Sequence, residues 1–184
     1  MGERSQIYVK VDGNLEIANY YAWNYGNFMI SRARYGIEWI KDSLDDDFLY
    51  LYMFKRGNYN FEEFRRIWDV NFDKKSIAIS MDIFDLYKKA NTKIAFPDFA
   101  YYIDNDDGKL FIFIDTKSKI IKYCFTDYDC TNIMNAKQYL NWNCGEWDKT
   151  MNENDKKCCI NNIKYIDNIA TLMTEDELKR FIKK

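Results

Sequence analysis

The sequence predicts an α+β protein in which an antiparallel hairpin and meander strands form a sheet and about five helices pack against one face of it. Three observations predict this class: apolar and polar residues alternate near the N-terminus, period-two runs recur between turn residues, and several apolar stripes follow helical spacing. Hydrophobic residues make up 47% of the 184 residues, which is enough for one compact core. Because no Gly-, Ser- or Pro-rich stretch interrupts the pattern, we expect a single domain over residues 1–184.

The first predicted element is a β-hairpin. Ile7, Val9 and Val11 alternate with polar residues, and such alternation is typical of a strand with one buried face. An Asp-Gly pair at 12–13 then supplies a tight turn. Extended character continues from there to Trp23, which predicts the second strand.

The next predicted element is a helix over residues 28–41 with apolar residues on two sides. One face carries four apolar side chains at helical spacing, Ile30, Ala33, Ile37 and Ile40. This spacing predicts the side that meets the core. Phe28, Tyr35 and Trp39 fall on nearly the opposite side. A helix that is apolar on two sides is either enclosed within the fold or contacts a partner.

A second helix is predicted to begin after Asn60, because Asn60 and Glu63 match a capping box. Residues 77–80 follow as a short strand, and residues 82–90 as a third helix. The aromatic run at 48–54 is too short to assign to either strand or helix.

The second half of the chain is predicted to contain a meander of three strands, over residues 100–103, 110–114 and 120–125. Asn132 begins a helix that runs towards Trp142. The polar stretch 143–157 is typical of a surface loop. Thr174 and Glu177 match a second capping box, so we expect the last helix to dock its apolar stripe on the body of the protein.

The composition excludes several classes of function. The chain contains no histidine, so catalytic groups of the Ser-His-Asp and Cys-His types are excluded. Its five cysteines are odd in number and lack a C-x-x-C pair, which favours reduced thiols and a cytoplasmic location. A net charge of −2 argues against direct nucleic-acid binding, and no apolar run is long enough for a secretion signal or a membrane span. We therefore expect no cofactor, no metal and no membrane partner.

Two patterns leave alternative functions open. Asp127 and Asp129 end a predicted strand, where paired carboxylates can hold magnesium in a phosphodiester or nucleotide hydrolase. Acidic residues at strand ends are also typical of turns and caps. Arg32 and Arg34, near aromatic rings, can bind phosphates and stack on bases in a small nucleic-acid-binding regulator. The same arginines can instead pair with acids on a helix surface.

The most unusual feature is the density of tyrosine and tryptophan between residues 20 and 39. Both residue types combine a large apolar area with a polar tip and are enriched at interfaces. They are equally ordinary in the core beneath a hairpin that packs on a helix. The residues predicted to bind a partner are Tyr20, Tyr21, Trp23, Tyr25, Arg32, Arg34, Tyr35 and Trp39.

Three segments, 4–9 (RSQIYV), 20–26 (YYAWNYG) and 31–34 (SRAR), resemble uncharacterised small proteins of phages and mobile elements in low-GC bacteria. The resemblance covers the first forty residues and includes no catalytic signature. It implies an inhibitor that blocks a host defence nuclease, as anti-CRISPR proteins do. We therefore expect a non-enzymatic protein-binding protein whose partner is a host protein of a nucleic-acid-handling defence complex, with a second copy of the chain as the alternative partner.

Overall fold

The computed structural model describes residues 3–46, 54–58, 60–70, 79–85 and 106–183. These residues form an α+β fold, as predicted. The strands are β1 (Arg4–Val11), β2 (Asn14–Ala22), β3 (Ile79–Asp82), β4 (Lys109–Asp115), β5 (Ile120–Thr126), β6 (Ile133–Met134) and β7 (Thr171–Leu172). The helices are α1 (Gly26–Asp45), α2 (Phe61–Asp69), α3 (Ala136–Cys144), α4 (Trp147–Thr150), α5 (Glu153–Ile169) and α6 (Glu175–Ile182).

The N-terminal hairpin is confirmed. Strands β1 and β2 pair antiparallel, and the turn between them has positive φ at Asp12 (50°) and Gly13 (87°). Two central residues with positive φ match the right-handed twist of the strands, which is why Asp-Gly favours this turn. A register shift between Val9 and Lys10 bends the strand near the turn.

The sheet is mixed, with the strand order β3-β2-β1-β4-β5-β6, and β7 also pairs with β5. The antiparallel β4–β5 hairpin of the predicted meander is confirmed. However, β4 pairs with β1 in parallel, so the hairpin and the second half of the chain share one sheet. The third meander strand, 100–103, lies outside the described residues, as does most of the helix predicted at 82–90. The strand predicted at 77–80 extends to Asp82.

Helix α1 is confirmed and extends further at both ends than predicted. Its four predicted core residues, Ile30, Ala33, Ile37 and Ile40, are fully buried. The helix also packs against α5, α3 and α2. A Cβ at Gly36 would lie 2.4 Å from the ring of Trp68 in α2, which shows how closely that neighbour approaches. The inner side of α1 is therefore enclosed by this same chain, whereas Phe28, Tyr35 and Trp39 on the other side are half-buried.

One predicted helix start is confirmed without its capping box, and another is corrected. Asn60 is the N-cap residue of α2, but its side chain makes no capping hydrogen bond, so the predicted capping box with Glu63 is absent. The helix predicted to begin at Asn132 begins later, because Asn135 and Gln138 form a capping box for α3. Residues 133–134 instead form β6 at the edge of the sheet.

The largest error of the sequence analysis concerns residues 143–157. This stretch was predicted as a loop, but it contains α4 and the first part of the 17-residue helix α5. Asn152 caps α5 through its side chain. Apart from Asn162, most polar residues of α5 face outwards, and its buried stripe is narrow, formed by Cys159, Asn162, Ile163 and Ile166. A stripe that contains cysteine and asparagine gives a weak hydrophobic signal in the sequence.

Both faces of the sheet are covered, whereas the sequence analysis placed the helices on one face. The larger core lies between the sheet and helices α1, α2, α3 and α5. The C-terminal helix α6, whose Thr174–Glu177 capping box is confirmed, packs on the opposite face. There its Leu178 and Phe181 join Tyr8 and Phe111 in a second core. Among the described residues, no helix is both long enough and apolar enough to cross a bilayer.

Candidate functional site

The candidate site is one end of the sheet, which we call the aromatic end. It is formed by the starts of β1 and β4 and the ends of β2 and β5, because Arg4 pairs with Ala22 and Lys109 pairs with Thr126. Three large side chains of this end are exposed to solvent: Trp23 (39%), Trp142 (39%) and Tyr128 (55%).

Trp23 follows directly after β2 and is held in an uncommon backbone conformation. Its φ is +62°, a left-handed value that costs a bulky L-residue about 1–2 kcal/mol. Its backbone N–H donates a hydrogen bond to the carbonyl oxygen of Glu3, which fixes this conformation beside β1. The turn directs the indole ring outwards from the end of the sheet.

Trp142 reaches the same end from helix α3. Its ring lies against Gly108: a Cβ at Gly108 would lie 3.2 Å from the indole and 2.3 Å from the carbonyl oxygen of Thr126. Only glycine therefore fits between strand β5 and this ring. The ring of Tyr139, 6.0 Å away between centroids, supports Trp142 from the core side.

Tyr128 is presented at the tip of the turn that follows β5. The fully buried Lys109 donates a hydrogen bond from Nζ to the carbonyl oxygen of Tyr128. Asp127 holds the other side of the turn, since its carboxylate accepts hydrogen bonds from the backbone and hydroxyl of Thr131 (2.8 and 2.7 Å) and from Nδ2 of Asn132 (2.7 Å). Burial by itself raises the pKa of Asp127, but these hydrogen bonds lower it below its ordinary value.

Carboxylates lie between the exposed rings. Asp107 connects the elements of this end: its side chain accepts from the backbone N–H of Arg4 (2.7 Å) and from Nδ2 of Asn143 (2.9 Å), and its carbonyl oxygen accepts from the hydroxyl of Tyr139 (2.8 Å). Asp106 accepts a second bond from the Arg4 N–H. Burial raises the pKa of the Asp107 carboxyl, although the bond from Asn143 opposes this effect.

The structure divides the eight residues predicted to bind a partner. Trp23 is exposed, and Tyr20 and Tyr25 are half-buried at the aromatic end. Tyr25 packs edge-on against Phe28, with ring centroids 5.5 Å apart. These three residues belong to the candidate site.

Tyr21 and Arg32 are reassigned from the predicted interface to the core. Tyr21 is fully buried and its hydroxyl donates to the carbonyl oxygen of Trp68 (2.7 Å). Arg32 is 3% exposed, and its guanidinium lies 4.4 Å from the centre of the Tyr21 ring. It donates to Asn24 Oδ1 (3.2 Å) and to the carbonyl oxygens of Trp68 and Val70. Arg32 therefore caps the C-terminus of α2 from inside the fold.

The remaining three predicted residues lie along α1, where they contact neighbouring helices. Arg34 pairs with Glu38 and stacks on the rings of Tyr35 and Tyr165 of α5, at 4.3 and 4.4 Å. Trp39 stacks on Phe64 of α2, with centroids 5.5 Å apart. These contacts hold the helix layer together, and they do not extend to the aromatic end.

Sequence reasoning missed Trp142 and Tyr128. Both had a local signal, since each is a large aromatic residue between two polar ones, in Asn-Trp-Asn and Asp-Tyr-Asp. Such a residue has no apolar neighbour in sequence to predict its burial. Trp142 and Tyr128 lie at the same end of the sheet as Trp23 because β1 pairs with β4, and the sequence pattern does not predict that pairing.

The carboxylate pair proposed for a hydrolase is also placed. Asp127 is the turn anchor described above, and Asp129 is exposed two residues further on. Within the described ranges, no group of three or more acidic or thiol side chains is arranged to hold a metal ion. Comparisons with protein-family models, with curated proteins and with solved structures find no match for this chain.

Proposed function

We propose that this chain is a binding protein, without catalytic activity of its own, that docks its aromatic end on a basic surface of another protein. One observation carries the proposal: Trp23, Trp142 and Tyr128, from three separate parts of the chain, are exposed at the same end of the sheet. Tryptophan and tyrosine are enriched among the residues that dominate binding energy at interfaces.

The three rings are supported in a way that suits binding. The left-handed φ of Trp23 and the Lys109 bond to the Tyr128 carbonyl oxygen fix the backbone from which these two rings project, and the ring of Trp142 itself lies against Gly108. A side chain that is already ordered loses less conformational entropy on association. The aromatic end is therefore suited to act as a pre-organised docking surface.

The charge of this end favours a basic partner. The acidic residues of this end, Glu3, Asp106, Asp107, Asp127 and Asp129, outnumber its cations Arg4 and the buried Lys109, and complementary charge accelerates association with a cationic groove. A groove that binds nucleic acid has this character. Together with the resemblance of the first forty residues to small phage and mobile-element proteins, this makes a host defence nuclease the partner class to test first, with the chain as its inhibitor.

The two alternative functions gain no support from the residues proposed for them. The carboxylate of Asp127 is engaged by Thr131 and Asn132 within its own turn, which is the arrangement of a structural anchor. Arg32 is buried and Arg34 is paired with Glu38, so neither presents its guanidinium to a phosphate. We therefore propose neither a hydrolase centre at Asp127 and Asp129 nor a nucleic-acid-binding site at the two arginines.

The test uses the full chain as bait in a lysate of a low-GC bacterium, followed by affinity measurement with the purified partner. The variants Trp23→Gly and Trp142→Ala should each weaken binding by about 2 kcal/mol or more, as expected for aromatic hot spots. Glycine is chosen at position 23 because it also accepts the left-handed φ. Loss of binding then reports on the ring and not on backbone strain.

The matched control is Ile160→Ala, which removes another exposed apolar side chain (43%) on the outer surface of α5. It should leave the affinity unchanged. Single-stranded DNA should compete with the chain for the partner if a nucleic-acid groove is the docking site. The proposal fails if the Trp23→Gly, Trp142→Ala double variant binds the captured partner as tightly as the unmodified chain.

A further inference from the structure

A cleft with a different character lies at the opposite end of the sheet, which we call the basic end. It lies between the second face of the sheet and helix α6 and has a volume of about 360 Å³. Cavities of roughly 300–1,000 Å³ are typical of small-molecule sites. Among the described residues, its lining comprises Lys10, Gly13, Phe113, Lys122, Met173, Glu177, Arg180 and Phe181.

The floor of the cleft is a row of three residues on adjacent strands. Lys10 of β1 pairs with Phe113 of β4, and Phe113 pairs with Lys122 of β5. Neighbouring strands in a sheet are about 4.8 Å apart. The Cα atoms of the two lysines therefore lie about 10 Å apart, with the aromatic residue between them. Lys10 lies six positions after Arg4 in β1, which places this row about 20 Å from the aromatic end.

The helix side adds a third cation and an apolar wall. Arg180 and Phe181 of α6 line this side together with Met173, and Arg180 Nε donates to the carbonyl oxygen of Asp176 in the same helix at 3.3 Å. Lys10 Nζ donates to the carbonyl oxygen of Phe181 at 2.5 Å and lies 5.0 Å from the centre of its ring. Burial lowers the pKa of Lys10, because its ammonium has lost part of its hydration.

One carboxylate lies among these cations, and it already has partners. Glu177 Oε1 pairs with Lys122, and Glu177 Oε2 accepts from the backbone N–H of Thr174 at 2.9 Å. With Lys10, Lys122 and Arg180 against Glu177 alone, the described lining carries two net positive charges. The whole chain has a net charge of −2, so this cleft opposes the overall charge of the protein.

We propose that this cleft binds a small organic phosphate with a flat ring, of the size of a nucleoside monophosphate. A phosphate monoester carries about −1.5 to −2 charges at neutral pH and accepts hydrogen bonds from arginine and lysine. The aromatic and thioether side chains of Phe113, Phe181 and Met173 suit the flat body of such a ligand. This site is separate from the aromatic end and independent of the function proposed there.

The test is calorimetric titration of the full chain with adenosine monophosphate, adenosine and inorganic phosphate. Adenosine monophosphate should bind saturably, and the two fragments roughly tenfold or more weaker, because each uses half of the cleft. Equal affinity for inorganic phosphate and adenosine monophosphate would overturn the assignment of an organic ligand. Absence of saturable binding by adenosine monophosphate would overturn the site itself.

One variant in α6 and a matched control in the same helix locate the binding. Arg180→Gln should weaken adenosine monophosphate roughly tenfold or more, the loss expected for a charge-assisted hydrogen bond. Lys179→Gln removes the same charge from the neighbouring residue, which lines a different surface of the helix, and should leave the affinity within about twofold of the unmodified chain. Equal losses in both variants would show general attraction to the helix and would overturn the proposal.

Glu177→Gln is expected to increase the affinity, and a misfolded variant would not give that result. This change removes the only acidic charge in the described lining and releases Lys122. Adenosine monophosphate should then bind about threefold or more tightly. Unchanged or weaker binding by this variant would contradict the electrostatic basis of the site.

Discussion

The aromatic end and the basic end of the sheet have opposite charge, and the chain builds them differently. The aromatic end depends on irregular backbone, with a left-handed Trp23, a glycine at 108 that fits beneath a tryptophan, and a turn held by Asp127. At the basic end, the central row Lys10–Phe113–Lys122 lies on the β1–β4 and β4–β5 ladders, whose pairing is unbroken, although β1 has a register shift against β2 between Val9 and Lys10. The sheet ladder itself sets the positions of these three side chains.

The two ends should therefore differ in how much their side chains contribute to the stability of the fold. Irregular backbone keeps its conformation only when buried polar groups hold it, so we expect the anchors of the aromatic end to contribute strongly to folding. Side chains that project from a regular ladder can change without disturbing the backbone. We therefore expect the charges of the basic end to contribute little to stability.

The largest expected effect is at Arg32, which caps α2 and donates to Asn24, the residue after Trp23. Arg32→Leu removes the donors to Asn24, Trp68 and Val70, so that Asn24 Oδ1 loses its buried donor and the Trp68 oxygen keeps only the Tyr21 hydroxyl. We expect the free energy of unfolding in urea to fall by about 3 kcal/mol or more. Arg34→Gln is the control, since a partly exposed pair contributes about 1 kcal/mol or less. Equal losses in the two variants would contradict the assignment of Arg32 to the core.

A smaller effect, with a defined pH dependence, is expected at Asp127. Asp127→Asn cannot accept all the hydrogen bonds from Thr131 and Asn132, so unfolding should require about 1–3 kcal/mol less at pH 7. The pKa of Asp127 lies below its ordinary value of 3.8 in the folded protein. Its stabilisation is therefore fully present above pH 3.8 and is lost as the pH falls through the folded-state pKa.

Urea unfolding of the unmodified chain and of Asp127→Asn at several pH values measures this dependence. The stability difference between them should shrink towards zero below pH 3.8. A difference that is independent of pH would show that the carboxylate charge is not what holds the turn.

The smallest expected effect is at the basic end. Glu177→Gln removes the ion pair with Lys122 but keeps a residue that can complete the capping box. Because both side chains are partly exposed, we expect unfolding to require only about 0.2–1 kcal/mol less. Urea unfolding of Glu177→Gln, measured alongside Arg32→Leu, checks this value. A loss at Glu177 as large as that at Arg32 would remove the distinction between the two ends.

Neighbouring residues show how far the sequence predicts the candidate site. Tyr21 and Trp23 lie two residues apart in one aromatic segment, yet Tyr21 is fully buried and Trp23 is exposed. Strand alternation places both on the same side of the chain, so sequence pattern predicts the same environment for the two. The left-handed φ of Trp23 reverses that expectation, and no periodic pattern predicts a single left-handed residue.

The sequence by itself determined the elements whose signal is local. The Asp-Gly turn gave the first hairpin, the four-residue apolar stripe gave the inner face of α1, and Thr174 with Glu177 gave the start of α6. In each case, residues within a few positions of one another form the hydrogen bonds or the buried face. These elements can therefore be predicted from the sequence without knowledge of the tertiary fold.

Tertiary structure alone decided the parallel pairing of β1 with β4 and the helical state of α5. The pairing joins residues about a hundred positions apart, and α5 depends on neighbours that bury its narrow stripe. The same long-range pairing brings Trp142 and Tyr128 to Trp23 at one end and aligns Lys10, Phe113 and Lys122 at the other. Both proposed sites consist of residues distant in sequence, because chain entropy and packing over the whole sheet, rather than local preference, determine which strands meet.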